Sequence, residues 1–160
     1  VITKDQGVAD RYLDYLAKEL TLWLPHTKKA EVTQIHLGGG TPNFLTPPQV
    51  ARLNAILHCY LSIDPAAQKS VELSPGDLNK EHVDAYARLG CRRASLGIQD
   101  TNIDVLHRVD RLQSLDQCRN ALCWLRQAGF NSVNIDLIYG LPGQSVSSFR
   151  HTVNDILSLN

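Results

Sequence analysis

The chain has 160 residues, 43% of them hydrophobic, enough to bury one sizeable core. Sixteen basic residues balance sixteen acidic ones, and the basic pairs Lys28-Lys29 and Arg92-Arg93 are too short to track a phosphate backbone, so nucleic acid is not an expected partner. No stretch approaches the roughly 20 apolar residues of a membrane helix and no charged-then-apolar leader opens the sequence, so a cytoplasmic protein with no membrane partner is expected. A helix is predicted over residues 7–24, with Tyr12, Leu16, Leu20 and Trp23 at helical spacing, followed by a strand over 31–37 that runs into three glycines. Thr46 caps a helix with Pro47 in its first turn and Val50, Leu53, Leu57 and Tyr60 on one face. The next strand covers 68–73. Asn79 caps a helix bearing Val83 and Tyr86 that Gly90 ends, and a strand over 93–98 follows. A short helix over 102–109 precedes Ser114, which with Gln117 resembles a capping box. Leu115, Cys118, Leu122 and Leu125 form the buried face of that helix, and Gly129 closes it. The last strand covers 133–138, and Ser145 opens a helix on Phe149, Val153 and Ile156.

Strands separated by helices imply parallel strands joined by crossovers, an α/β class. Residue parity then separates barrel from open sheet. Ile35, Leu37, Val71, Leu73, Leu96, Ile98, Val133, Ile135 and Leu137 fall on one face, while His36, Glu72, Ser95, Gln99, Asn134 and Asp136 fall on the other. A doubly wound sheet would be apolar on both faces; one apolar and one polar face suits a barrel wall with helices outside and a ligand-holding interior. Four strands do not close a parallel barrel, so an arc of a partial TIM-type barrel is expected. The chain opens at Val1 and contains no methionine, so it is read as part of a larger barrel domain, incomplete at both ends.

Several residues carry two readings each. A strand-end Glu72, Gln99 or Asp136 can cap the next helix, face water or bind a ligand; the three on one parity beside a glycine loop favour the last. The stretch IHLGGGTP, residues 35–42, is either a turn with positive φ or a place where a bound molecule approaches the backbone. His36 reads first as a satisfied core histidine, and Arg111 as a cation at a helix C-terminus. Cys59, Cys91, Cys118 and Cys123 lack tight ligand spacing and read as reduced structural thiols, with no metal site among them.

The segments HLGGGTPNFL, VELSP, ASLGIQDTNIDVLHRVDRLQ and NIDLIYGLPGQS resemble, in order and separation, the radical S-adenosylmethionine enzymes of the oxygen-independent coproporphyrinogen III oxidase (dehydrogenase) type. The resemblance spans nearly the whole chain. It implies two S-adenosylmethionine molecules: Gly39 and Glu72 match contacts to the first, and Gly40, Thr41, Gln99, Arg111 and Asp136 match contacts to the second. It also implies a [4Fe-4S] cluster reduced by an electron donor, cleavage of S-adenosylmethionine to a 5'-deoxyadenosyl radical, and hydrogen abstraction from propionates of coproporphyrinogen III. Carbon dioxide then leaves and vinyl groups form.

The family's Cys-x3-Cys-x2-Cys motif falls before the region where Val1 stands, so this chain alone is expected to hold no cluster and to be inactive. Thr101 and Ser74 depart from the aromatic residue and the aspartate usual at those places. The alternative is a haem chaperone of the same fold, whose relatives carry Ser or Thr after the Gln and GRxH where this chain has DRLQ; Asp100 and the RLQ ending favour the oxidase. A fragment with no cofactor of its own is a third reading.

Overall fold

Helix α1 (Gln6–Trp23) opens on Asp5, whose side chain accepts from the Gly7 amide. The computed structural model describes residues 5–27 and 30–159, so Val1 and the Lys28-Lys29 pair lie outside the described residues. There follow β1 (Val32–Leu37), a 3-10 turn (Pro42–Phe44), α2 (Pro47–Tyr60), β2 (Ile63–Leu73) and a second 3-10 turn (Pro75–Asp77). The chain continues through α3 (Lys80–Leu89), β3 (Arg93–Gln99), α4 (Ile103–His107), α5 (Leu115–Gln127), β4 (Ser132–Leu137) and α6 (Val146–Leu157). The strands form one sheet in the order β1-β2-β3-β4 with every pairing parallel. It is the barrel-arc arrangement the alternation of elements predicts.

Local chemistry accounts for the helix boundaries. Asn79 accepts from the His82 amide and Gly90 closes α3 at φ 102°, a left-handed position that glycine fills without strain. Ser114 and Gln117 form the reciprocal capping box of α5, and Ser145 caps α6 through the Ser148 amide. The apolar parity of the strands faces the helices: Val71, Leu73, Leu96 and Ile98 are buried in one core with Leu13, Val50, Val83, Tyr86 and Leu125. Nine such fully or nearly fully buried side chains at about 1.5–3 kcal/mol each are the main reason the sheet and its helices stay together.

The structure corrects the sequence reading in five places. Strand β2 starts at Ile63, not at residue 68, because Ile63 pairs with Val32 before a register slip; Pro65 and the turn in which Asp64 accepts from Ala66 disguise it as a loop. On α1 the buried seam is Ala9 and Leu13, with Leu16 packed on the core, while Tyr12 and Trp23 are exposed; the helix carries two apolar stripes. On α6 the buried side chain is Thr152, and Val153 is exposed. Helix α4 is shorter than its expected span, its first amides satisfied by Asn102. All four cysteines are free thiols, but only Cys91 and Cys118 are buried in a structural role, which pushes their pKa up to about 12 and about 11, whereas Cys59 and Cys123 are exposed.

Candidate functional site

The polar parity of the strands forms a concave face, and at its carboxyl end two clusters gather. The first is centred on Glu72. Its Oε1 lies 3.0 Å from His36 Nε2, its Oε2 accepts from the Gly39 amide at 3.4 Å, and the other ring nitrogen of His36 lies 2.9 Å from Ser70 Oγ. His36 is therefore satisfied, as expected, but it is not a core residue: its side chain and that of Glu72 are 54% and 47% exposed. The glycines divide their reasons. A Cβ at Gly38 would meet His36 Nε2 at 2.7 Å and Glu72 Cδ at 2.9 Å, so the molecule that excludes a side chain there is the protein itself. Gly39 and Gly40 have φ of 80° and 59° and face open space, so their requirement is conformational.

Asn43 secures the glycine loop: its side chain donates to the Ser74 carbonyl at 3.1 Å and accepts from the Ser74 amide at 2.9 Å. The departure to Ser74 is thus read by its backbone, and the side chain is not what the loop uses. Thr41 is exposed and its hydroxyl does not cap the turn after it.

The second cluster is centred on Gly97. Arg111 donates to the Gly97 carbonyl at 3.0 Å, so its guanidinium reaches across to β3 instead of capping the helix before it. A Cβ on Gly97 would meet Gln99 Nε2 at 2.7 Å and Arg111 at 3.7 Å, which places both side chains over this residue. Asp136 is the register partner of Gly97 on β4 and accepts from Ser95 Oγ at 2.6 Å. Gln99, Arg111 and Asp136 are therefore brought together, and Gly39 and Glu72 are brought together separately. Gly97 carries no role in the sequence analysis, and Gln113 enters it only as the end of the DRLQ stretch. Gly97 had a usable signal, since a glycine inside a strand marks a bulge or a close approach. Gln113, 4% exposed, donates to the Ile98 carbonyl.

Behind the second cluster Asp100 is wholly buried and accepts from Thr152 Oγ1 at 2.6 Å, Gln144 Nε2 at 2.6 Å and the Asn102 amide at 2.7 Å. Burial pushes its pKa up, but the hydrogen bonds from Thr152, Asn102, Gln144 and Thr101 outweigh it and hold the carboxyl below its ordinary value. Thr101 belongs to the same network, donating to Asp155 at 2.6 Å.

Four parallel strands with outer helices, a glycine loop and polar clusters at their carboxyl ends define an α/β protein of partial TIM-barrel type. The chain belongs to the Radical SAM superfamily, whose family profile matches residues 9–156. It is 38% identical to an oxygen-independent coproporphyrinogen III oxidase from Synechocystis and 37% identical to one from Escherichia coli, covering 100% of this chain and 34% and 35% of theirs. A solved coproporphyrinogen III oxidase (HemN) from Escherichia coli, described as a radical SAM enzyme, superposes with a TM-score of 0.95 at 37% identity, over 100% of this chain and 37% of that one. The chain thus spans about a third of the length of the relatives it matches. A radical S-adenosylmethionine methyltransferase, TsrM, from Kitasatospora setae shares the fold at 15% identity and a TM-score of 0.67, over 92% of this chain and 29% of its own.

Proposed function

We propose that this chain forms the cofactor-binding arc of an oxygen-independent coproporphyrinogen III oxidase, which converts two propionates of coproporphyrinogen III to vinyl groups. The observation that carries the reading is likeness over the whole chain, in fold and in 37% of positions, to an enzyme of that description. Gly39 and Glu72 hold one S-adenosylmethionine, and Gly40, Thr41, Gln99, Arg111 and Asp136 hold a second. The donor set suits such a molecule. A glycine backbone with open space beside it, a threonine hydroxyl and a guanidinium fork match its carboxylate, while Glu72 and Asp136 match its ammonium or ribose hydroxyls. Bound there, S-adenosylmethionine supplies the hydrogen-abstracting chemistry. The protein's own contribution is to fix its orientation: His36 and the Gly39 amide hold the Glu72 carboxylate, and Ser95 holds Asp136. Among the described residues no three His, Cys, Asp or Glu side chains are grouped to hold a metal ion.

The test uses the full-length protein that contains this chain, handled anaerobically with its cluster intact, and measures labelled S-adenosylmethionine bound alongside porphyrinogen decarboxylation. Charge-assisted hydrogen bonds are worth about 1.5–3 kcal/mol, so Arg111→Ala should weaken the second equivalent about ten- to a hundred-fold, retain about one, and lose decarboxylation. Glu72→Ala should weaken the other equivalent. Two equivalents at wild-type affinity with normal product in Arg111→Ala would remove Arg111 from the site.

A further inference from the structure

Gln99 ends β3 in a backbone conformation that residues with side chains avoid. Its φ is 68°, the register between β3 and β4 slips between Gly97 and Gln99, and the Asp100 amide reaches back to the Ile98 carbonyl at 2.8 Å. That is a three-residue turn of the rare, strained kind, which persists only where its surroundings over-determine it. The anchors are visible on each side. The Ile98 carbonyl also accepts from Gln113, and the Gln99 carbonyl accepts from the Ile138 amide at 2.9 Å. The Asp100 carboxylate draws in Thr152 from α6, the Asn102 amide at the start of α4, and Gln144. Gln144 in turn accepts from the Gly140 amide at 2.6 Å and donates to the Ile138 carbonyl at 3.0 Å.

A staple of this kind would hold the fold as well with glycine at position 99, where the turn would carry no strain. What glutamine adds is an amide folded over Gly97, beside Arg111. We infer that Asp100 is a positioning residue that touches no ligand itself and keeps Gln99 in the strained turn that aims its amide at the concave face. The inference deepens the proposed function and rests on its reading of Gln99 and Arg111 as a binding pair. A carboxylate suits the task because it only accepts, and every group aimed at it donates; an asparagine would turn a second donor toward donors.

The test compares Gln99→Gly with Gln99→Ala in the full-length protein. With the turn intact, the glycine variant should melt about 2 °C or more above the alanine variant, because only alanine is strained at positive φ. In an Asp100→Asn background the turn relaxes and the order should reverse, since alanine is favoured wherever φ is negative. Thr152→Val, which with little change of shape removes a donor to Asp100 and the oxygen that accepts from the Thr101 amide and hydroxyl, supplies a second background if Asp100→Asn does not fold, and should narrow the gap. For S-adenosylmethionine, Gln99→Ala and Asp100→Asn or Thr152→Val should each weaken the second equivalent, and the double variant should be no weaker than Gln99→Ala alone. A glycine-over-alanine gap that stays constant in these backgrounds overturns the inference. A gap that reverses or narrows in a protein that binds no S-adenosylmethionine upholds Asp100's hold on the turn and defeats the binding reading instead.

Discussion

Gly38 and Gly39 are neighbours with different obligations, and substitutions should separate them. A methyl group at Gly38 pushes on the ends of two side chains, His36 Nε2 at 2.7 Å and Glu72 Oε1 at 3.0 Å, which must give way. Gly38→Ala should therefore shift the Glu72 carboxylate off the Gly39 amide, read as faster hydrogen exchange at that amide. Gly39→Ala meets no atom within 4 Å and is penalised by its φ of 80° alone. It should lower stability by about 1–2 kcal/mol in urea denaturation, with the His36–Glu72 pair intact.

At the scale of elements, the glycine loop is held from two sides: Asn43 clasps the end of β2, and the buried Tyr86 of α3 donates to the Pro42 carbonyl at 2.6 Å. Tyr86→Phe keeps the ring packing and removes that donor, so it should cost about 1–2 kcal/mol in urea denaturation. Helix ends such as Asn79 to Gly90 and Ser114 to Gln117 were legible in the sequence because their determinants lie within a few residues. The polar face was legible because strand parity is local too, which is how Glu72, Gln99 and Asp136 could be placed together. The start of β2 was not, since Ile63 is a strand residue only through Val32, and Asp64-Pro65 reads as a turn. Nor was the buried stripe of α1, which its own two apolar faces leave open. The contacts that build the second cluster join β3 to residues 111 and 113 and to β4, and no local spacing encodes such partners.

For the molecule as a whole, Asp100 links stability to pH. Its ordinary pKa is 3.8 and its folded value is lower, so the unfolded chain takes up a proton first as pH falls. The carboxylate's contribution is complete above its unfolded pKa and is lost as pH drops through the folded value. Urea midpoints should hold steady toward pH 5 and fall below about pH 4. Thr152→Val, which takes away one hydrogen bond to the ionised form, should make that fall shallower. A fall of unchanged steepness would assign the acid sensitivity to other carboxylates.

Only β3 stands between β2 and β4, so Glu72 and Asp136 rise from strands about 10 Å apart. That spacing is close to the distance over which physiological salt damps a charge, about 8–10 Å. A positively charged guest taken up by either carboxylate changes the potential felt at the other. A second cation arriving at the other carboxylate would meet a field that the first has altered.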